Sequence, residues 1–210
     1  MLGLATHRQA GDTIIEVLFA VSIFSLVAVG AISIMNQGIN TAQRALEITQ
    51  VRQQIDAQAE ALRFAHHSYV SSLGGGTVND TVWTAIKSNT TAQVSEFGSN
   101  DAVSTCNVNL PAEAFIMNAR TGEVSSREPI SISPANPGES TPPPFSQVTY
   151  DDNDNVDQAD GIWIEAVRKV GEGGGIASYY DFHIRACWEN PGTGPAITLG
   201  TIVRLYEPAV

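Results

Sequence analysis

The first 110 residues of this 210-residue chain contain no proline, and no lysine or arginine lies between Asp12 and Arg44. The first absence removes the strongest helix breaker from half the chain. The second means that an acid in that stretch has no basic side chain to pair with inside its own helix. Cysteine is scarce as well. Cys106 and Cys187 stand far apart with no ligand pair beside either, which excludes a zinc site. No His-Glu-x-x-His, Gly-x-Ser-x-Gly or phosphate-loop pattern occurs, and the Gly173–Gly175 run reads as a hairpin turn that opens no helix. No catalytic role is expected. Positive charge is short: the net charge is −11, and from Val70 onward seven basic residues face seventeen acidic ones. Such a surface repels phosphate backbones at long range, so no nucleic-acid partner is expected.

The chain does have one long apolar run. Ile14 to Met35 is 22 residues carrying a single charge, Glu16. At helical rise this spans roughly 33 Å, enough for the core of a bilayer. An ordinary secretory signal places its small-residue cleavage site after the apolar core. Here the good break, Gly11, precedes it. A cut between Gly11 and Asp12 leaves the apolar helix on the mature protein as a working part, with residues 1–11 as the leader. A lone acid inside such a helix is costly and marks a function with a partner to be found.

Beyond the anchor (12–35), residues 36–72 continue as helix. Ile48, Ile55, Leu62 and Tyr69 recur every seven residues, with Val51, Gln58 and Ala65 three positions on. That stripe is the face on which a sheet packs, or else a seam for a partner helix. Arg44, Glu47, Arg52, Asp56, Glu60 and Arg63 are expected on the opposite, solvated face, with His66 toward the head and His67 toward water. Ser71 to Gly76 ends the helix, and 73–210 forms a head. Residues 78–86 read as a short helix or a strand. Phe115-Ile116-Met117 reads as a strand before a turn at Asn118–Gly122, and 125–144, rich in Ser and Pro, as an irregular surface loop. The runs 161–170, 178–189 and 199–206 predict three antiparallel strands. In the middle one Tyr180, Phe182, Ile184, Ala186 and Trp188 share the core face, and Cys187 lies on the polar face. The fold class is therefore α+β: a long N-terminal helix packed on a C-terminal antiparallel sheet.

Two smaller sites are candidates. In an exported head the two cysteines are expected to join, closing a loop of about 80 residues worth about 4–5 kcal/mol in the chain-entropy model; two free thiols are the alternative. The acidic run 151–160 offers Asp152, Asp154 and Asp157 as calcium ligands, against a solvated loop. An EF-hand is excluded, because Val156 and Ile162 fall where Gly and Glu are needed.

Gly11-Asp12-Thr13-Ile14-Ile15-Glu16, with the apolar helix behind it, resembles the leader junction of type IV pilins and of the pseudopilins of type II secretion. That family has Gly before the cut and Glu at the fifth mature position, which is Glu16 counted from Asp12. The resemblance covers roughly residues 1–70. It implies cleavage by a prepilin peptidase in the cytoplasmic membrane, N-methylation of the new terminus, and assembly with other pilin subunits by a membrane platform into a surface filament. It implies that Glu16 pairs with the free α-amine of a neighbour's Asp12. Some pseudopilins also hold calcium beside the sheet. Two departures stand out: the family usually begins with Phe or Met where this chain has Asp12, so methylation there is left open, and the helix lacks the family's proline. The start and the Pro-rich loop lean toward a minor pilin or minor pseudopilin. The alternative is a monomeric, membrane-anchored adhesion or ligand-binding module.

Overall fold

The computed structural model describes residues 12–73, 80–95, 106, 110–132, 145–171, 177–190 and 195–208. It contains two helices and nine strands among those residues. Helix α1 is Asp12–Ser72 and α2 is Asp80–Ser88. The strands are β1 (Thr90–Thr91), β2 (Ile116–Met117), β3 (Val124–Ser125), β4 (Ile130–Ser131), β5 (Gln147–Tyr150), β6 (Val156–Asp160), β7 (Ile162–Lys169), β8 (Tyr179–Trp188) and β9 (Ile197–Tyr206). The architecture is α+β, with a long N-terminal helix and a C-terminal sheet. The chain divides into two compact units, Met1–Ala45 and Leu46–Val210.

In the first unit the described residues are helical throughout. Without proline, and with glycine only at 30 and 38, nothing stops the hydrogen-bond ladder. Ser22, Ser25 and Thr41 return their hydroxyls to the carbonyls of Leu18, Val21 and Gln37, one turn back, so these polar groups need no outside partner. This helix is the one stretch among the described residues that is long and apolar enough to cross a membrane, with a mean hydropathy of 2.6 over an 18-residue window.

The second unit is built on the sheet β1-β7-β8-β9. Strands β7, β8 and β9 are antiparallel neighbours, and β1 joins the outer edge of β7 in parallel. On the inner face Ile162, Ile164 and Ala166 of β7 stand opposite Ala186, Ile184 and Phe182 of β8, all fully buried. Against them lie Val51, Ile55, Ala59, Leu62 and Ala65 of α1, with Trp83 and Ile86 of α2. The seven-residue stripe is thus the head-packing face. Its polar member, Gln58, is fully buried because it makes a reciprocal pair with one residue of β2. Gln58 Nε2 donates to the Met117 carbonyl (2.9 Å), and the Met117 N–H donates to Gln58 Oε1 (2.8 Å). His66 Nε2 donates to the Tyr206 carbonyl at 2.9 Å and its ring tilts against Trp83, while His67 is exposed.

Residues 78–86 resolve in favour of helix from Asp80, because Trp83 and Ile86, one turn apart, share the buried face. The turn after β2 is as expected, with Gly122 at φ +77° and the Asn118 carboxamide oxygen accepting from the N–H groups of Arg120 and Thr121. Four expectations need correction. Glu47 is buried, not solvated: Trp188 Nε1 donates to its carboxylate at 3.3 Å. The Pro-rich loop contributes strand β4, which pairs in parallel with β6. The acidic run is only half loop, since Val156–Asp160 forms β6 at the centre of the small sheet β4-β6-β5. Finally, the polar face of β8 is not all open to water around Cys187, which is 3% exposed within a second apolar cluster.

Candidate functional site

The leader junction places Gly11 outside the described residues, and of Asp12 only its helical backbone is described. Glu16 lies in the first turns of α1 and is exposed. No ion pair to it occurs among the described residues. The side chains around it are apolar and exposed as well: Ile15 is 67% exposed, Val17 60% and Phe19 67%. Between Ile14 and Met35 Glu16 is the single carboxylate, on a stretch of helix that is apolar on every side. Such a carboxylate can accept hydrogen bonds or a positive charge from a partner.

The acidic run is a hairpin turn with its own internal partners. Asp151 Oδ1 accepts the N–H groups of Asn153 (2.9 Å) and Asn155 (2.8 Å), and Oδ2 accepts the Asn155 side chain (3.1 Å). These bonds, the Asn155 side chain first, hold the Asp151 carboxyl below its ordinary range. Asp154 takes the left-handed conformation at φ 62° and pairs with Arg120, whose guanidinium also stacks 4.2 Å from the Tyr150 ring. Burial pushes Asp160 up, against a hydrogen bond from Gln158. The calcium candidates Asp152, Asp154 and Asp157 do not converge. Among the described residues no three acidic, His or Cys side chains are placed to hold a metal.

Cys106 and Cys187 are joined, with Cα atoms 5.6 Å apart. Beside the bond Trp163 Nε1 donates to Glu165 Oε1 at 2.7 Å, and Ser95 donates its N–H and its hydroxyl to the same carboxylate, each at 2.5 Å. Glu165, fully buried, is the one site-like acid that sequence reasoning missed. The signal was available in Trp163-x-Glu165: strand alternation puts the two side chains on one face, where an indole N–H can meet a carboxylate. Elsewhere an open groove of about 690 Å³ is lined by Leu110, Ala112, Ser126, Arg127 and Glu128.

Compared with protein-family models, with curated proteins and with solved structures, the chain has no significant match.

Proposed function

We propose that the chain is a structural subunit of a type IV pilus-like filament, made with a leader that is cut between Gly11 and Asp12. The reading rests on the resemblance of the leader junction and on one observation. The helix from Ile14 to Met35 is apolar on all sides, exposed, and carries one acid, without an ion pair among the described residues, at the fifth position after the glycine. Before assembly the lipid bilayer covers that surface. After assembly the same segments of other subunits cover it, and Glu16 meets the α-amine of a neighbour's Asp12. A paired charge is tolerated in a low-dielectric bundle where an unpaired one costs several kcal/mol, so the pairing also fixes axial register. The head stands outside the cytoplasmic membrane, where its disulfide persists. A minor pilin or minor pseudopilin fits the Asp12 start better than a bulk subunit does. The role is mechanical and needs no catalyst.

Mass spectrometry of the mature N-terminus tests this reading. It should begin at Asp12, with or without a methyl group. A protein that begins at Met1, or after Met35, contradicts it.

A further inference from the structure

The sheet separates two apolar clusters of unequal size. Among the described residues the inner one holds 22 buried members, and the outer one holds five: Cys106, Leu110, Ala114, Trp163 and Cys187. Burial scales with apolar area, so the described members of the outer cluster contribute less than those of the inner one. The outer cluster also carries a liability. Glu165 is fully buried there, with Trp163, Ser95 and the Arg185 guanidinium (3.8 Å) around its carboxylate. Opening would return that carboxylate to water, which offsets part of the loss. The inner cluster has a buried carboxylate of its own, Glu47, bonded by Trp188, but it is the larger of the two. Its members are held by α1, by α2 and by the β7-β8-β9 ladder.

We propose that the Cys106–Cys187 disulfide is a redox latch on the outer layer alone. A dithiol reductant opens it in two exchanges. One thiolate attacks a cysteine sulfur, forms a mixed disulfide and displaces the other cysteine as a thiolate. The second thiolate of the reductant then closes on its partner sulfur and frees the first cysteine. The protein gains two electrons and two protons, and the reductant is left as a cyclic disulfide. Both half-cystines are 3% exposed, so exchange waits on opening of the layer that covers them. The opening stops at Phe115. Its N–H and carbonyl pair with Ile164 at 3.1 and 2.8 Å, and its side chain belongs to the inner cluster. Trp163 and Glu165 are then hydrated while the packing of α1 on the sheet persists. The latch belongs to the head and does not depend on polymerisation.

Hydrogen exchange of the full chain in detergent micelles tests this, before and after dithiothreitol treatment with the freed thiols alkylated. Reduction should speed exchange across 110–114, where the Ala114 N–H bonds to the Pro111 carbonyl, by about tenfold or more. Exchange across 51–65 and 182–186 should change by less than about twofold. The Cys106→Ser/Cys187→Ser double variant should give the same pattern. Uniform loss of protection on reduction would show that the bond holds the whole head. Unchanged exchange at 110–114 would show that the layer closes without it. Either result overturns the proposal.

Discussion

Helix α1 behaves in two ways along its length. Between Ile14 and Met35 it leaves Phe24, Leu26 and Ile34 about three-quarters exposed, whereas between Val51 and Ala65 it buries Val51, Ile55, Ala59 and Leu62 to 3% exposure or less. The first stretch is the more apolar of the two, yet it is the one without a tertiary core. The difference is periodicity. A helix that is apolar all round offers no preferred face, and its solvent has to be lipid or copies of itself. A stripe every seven residues offers one face, and a sheet can satisfy it. Apolarity alone therefore says that a segment leaves water; its pattern says what it leaves water for.

The largest effect comes from trimming one large side chain in the core that covers the second stretch and one in the first stretch itself. Phe182→Ala removes a ring from the inner cluster and should destabilise the head by about 3–5 kcal/mol in denaturant unfolding. Leu26→Ala should leave the same transition within about 0.5 kcal/mol. A Leu26→Ala cost near that of Phe182→Ala would mean that the anchor has a core of its own.

A smaller effect isolates the polar member of the stripe. Gln58→Leu keeps the bulk but leaves the N–H and carbonyl of Met117 buried and unpaired. It should cost about 1–3 kcal/mol, read by the same unfolding. No change would show that water or a shift of β2 replaces both bonds.

The smallest effect concerns the polar pins at the end of the sheet. Tyr180 donates its hydroxyl to Glu207 Oε1 at 2.9 Å, and Arg168 grips the same carboxylate at 2.8 Å. Burial first, and then Glu207, push the Tyr180 hydroxyl up to about 12. Because the folded value is raised, the stability from this group is complete below about pH 10 and is lost as pH rises through about 12. The Arg168 hydrogen bond holds Glu207 down, so its share is complete above the ordinary glutamate range and is lost as pH falls through the depressed value. Ultraviolet titration should find one tyrosine ionising late, and Tyr180→Phe should remove it. If all tyrosines ionise together near pH 10, the pin is absent.

What the sequence disclosed follows from these same regularities. The stripe from Ile48 to Tyr69 and the alternation from Tyr180 to Trp188 were legible because each spans several repeats of its period, and both lie in the core as read. Trp83 and Ile86 sit in a helix too short for its period to stand out. The two-residue strands β1 and β4 have no period at all and exist only because β7 and β6 offer them an edge. Glu47 looked solvated because charge usually means exposure; the indole of Trp188, which accepts nothing and needs an acceptor when buried, lies 141 residues away. Alternation along β8 puts Cys187 on the face opposite Trp188, and the two lie in different clusters. That this face carries a second cluster depends on Leu110 and Ala114, which show no strand or helix pattern. At the N-terminus, Gly11 and Glu16 were legible as a spacing alone, which states a chemistry and leaves its partner to experiment.

We propose that the exposed apolar helix and its acid are built for other copies of the chain. Glu16→Val tests it most directly, measured as the amount of subunit in sheared surface filaments against the amount in the membrane. The substitution makes the segment more apolar, so membrane insertion and leader cleavage should be unchanged. Incorporation into filaments should fall about tenfold or more, because a neighbour's α-amine loses its buried partner. Incorporation of Glu16→Val at the wild-type level would contradict the account.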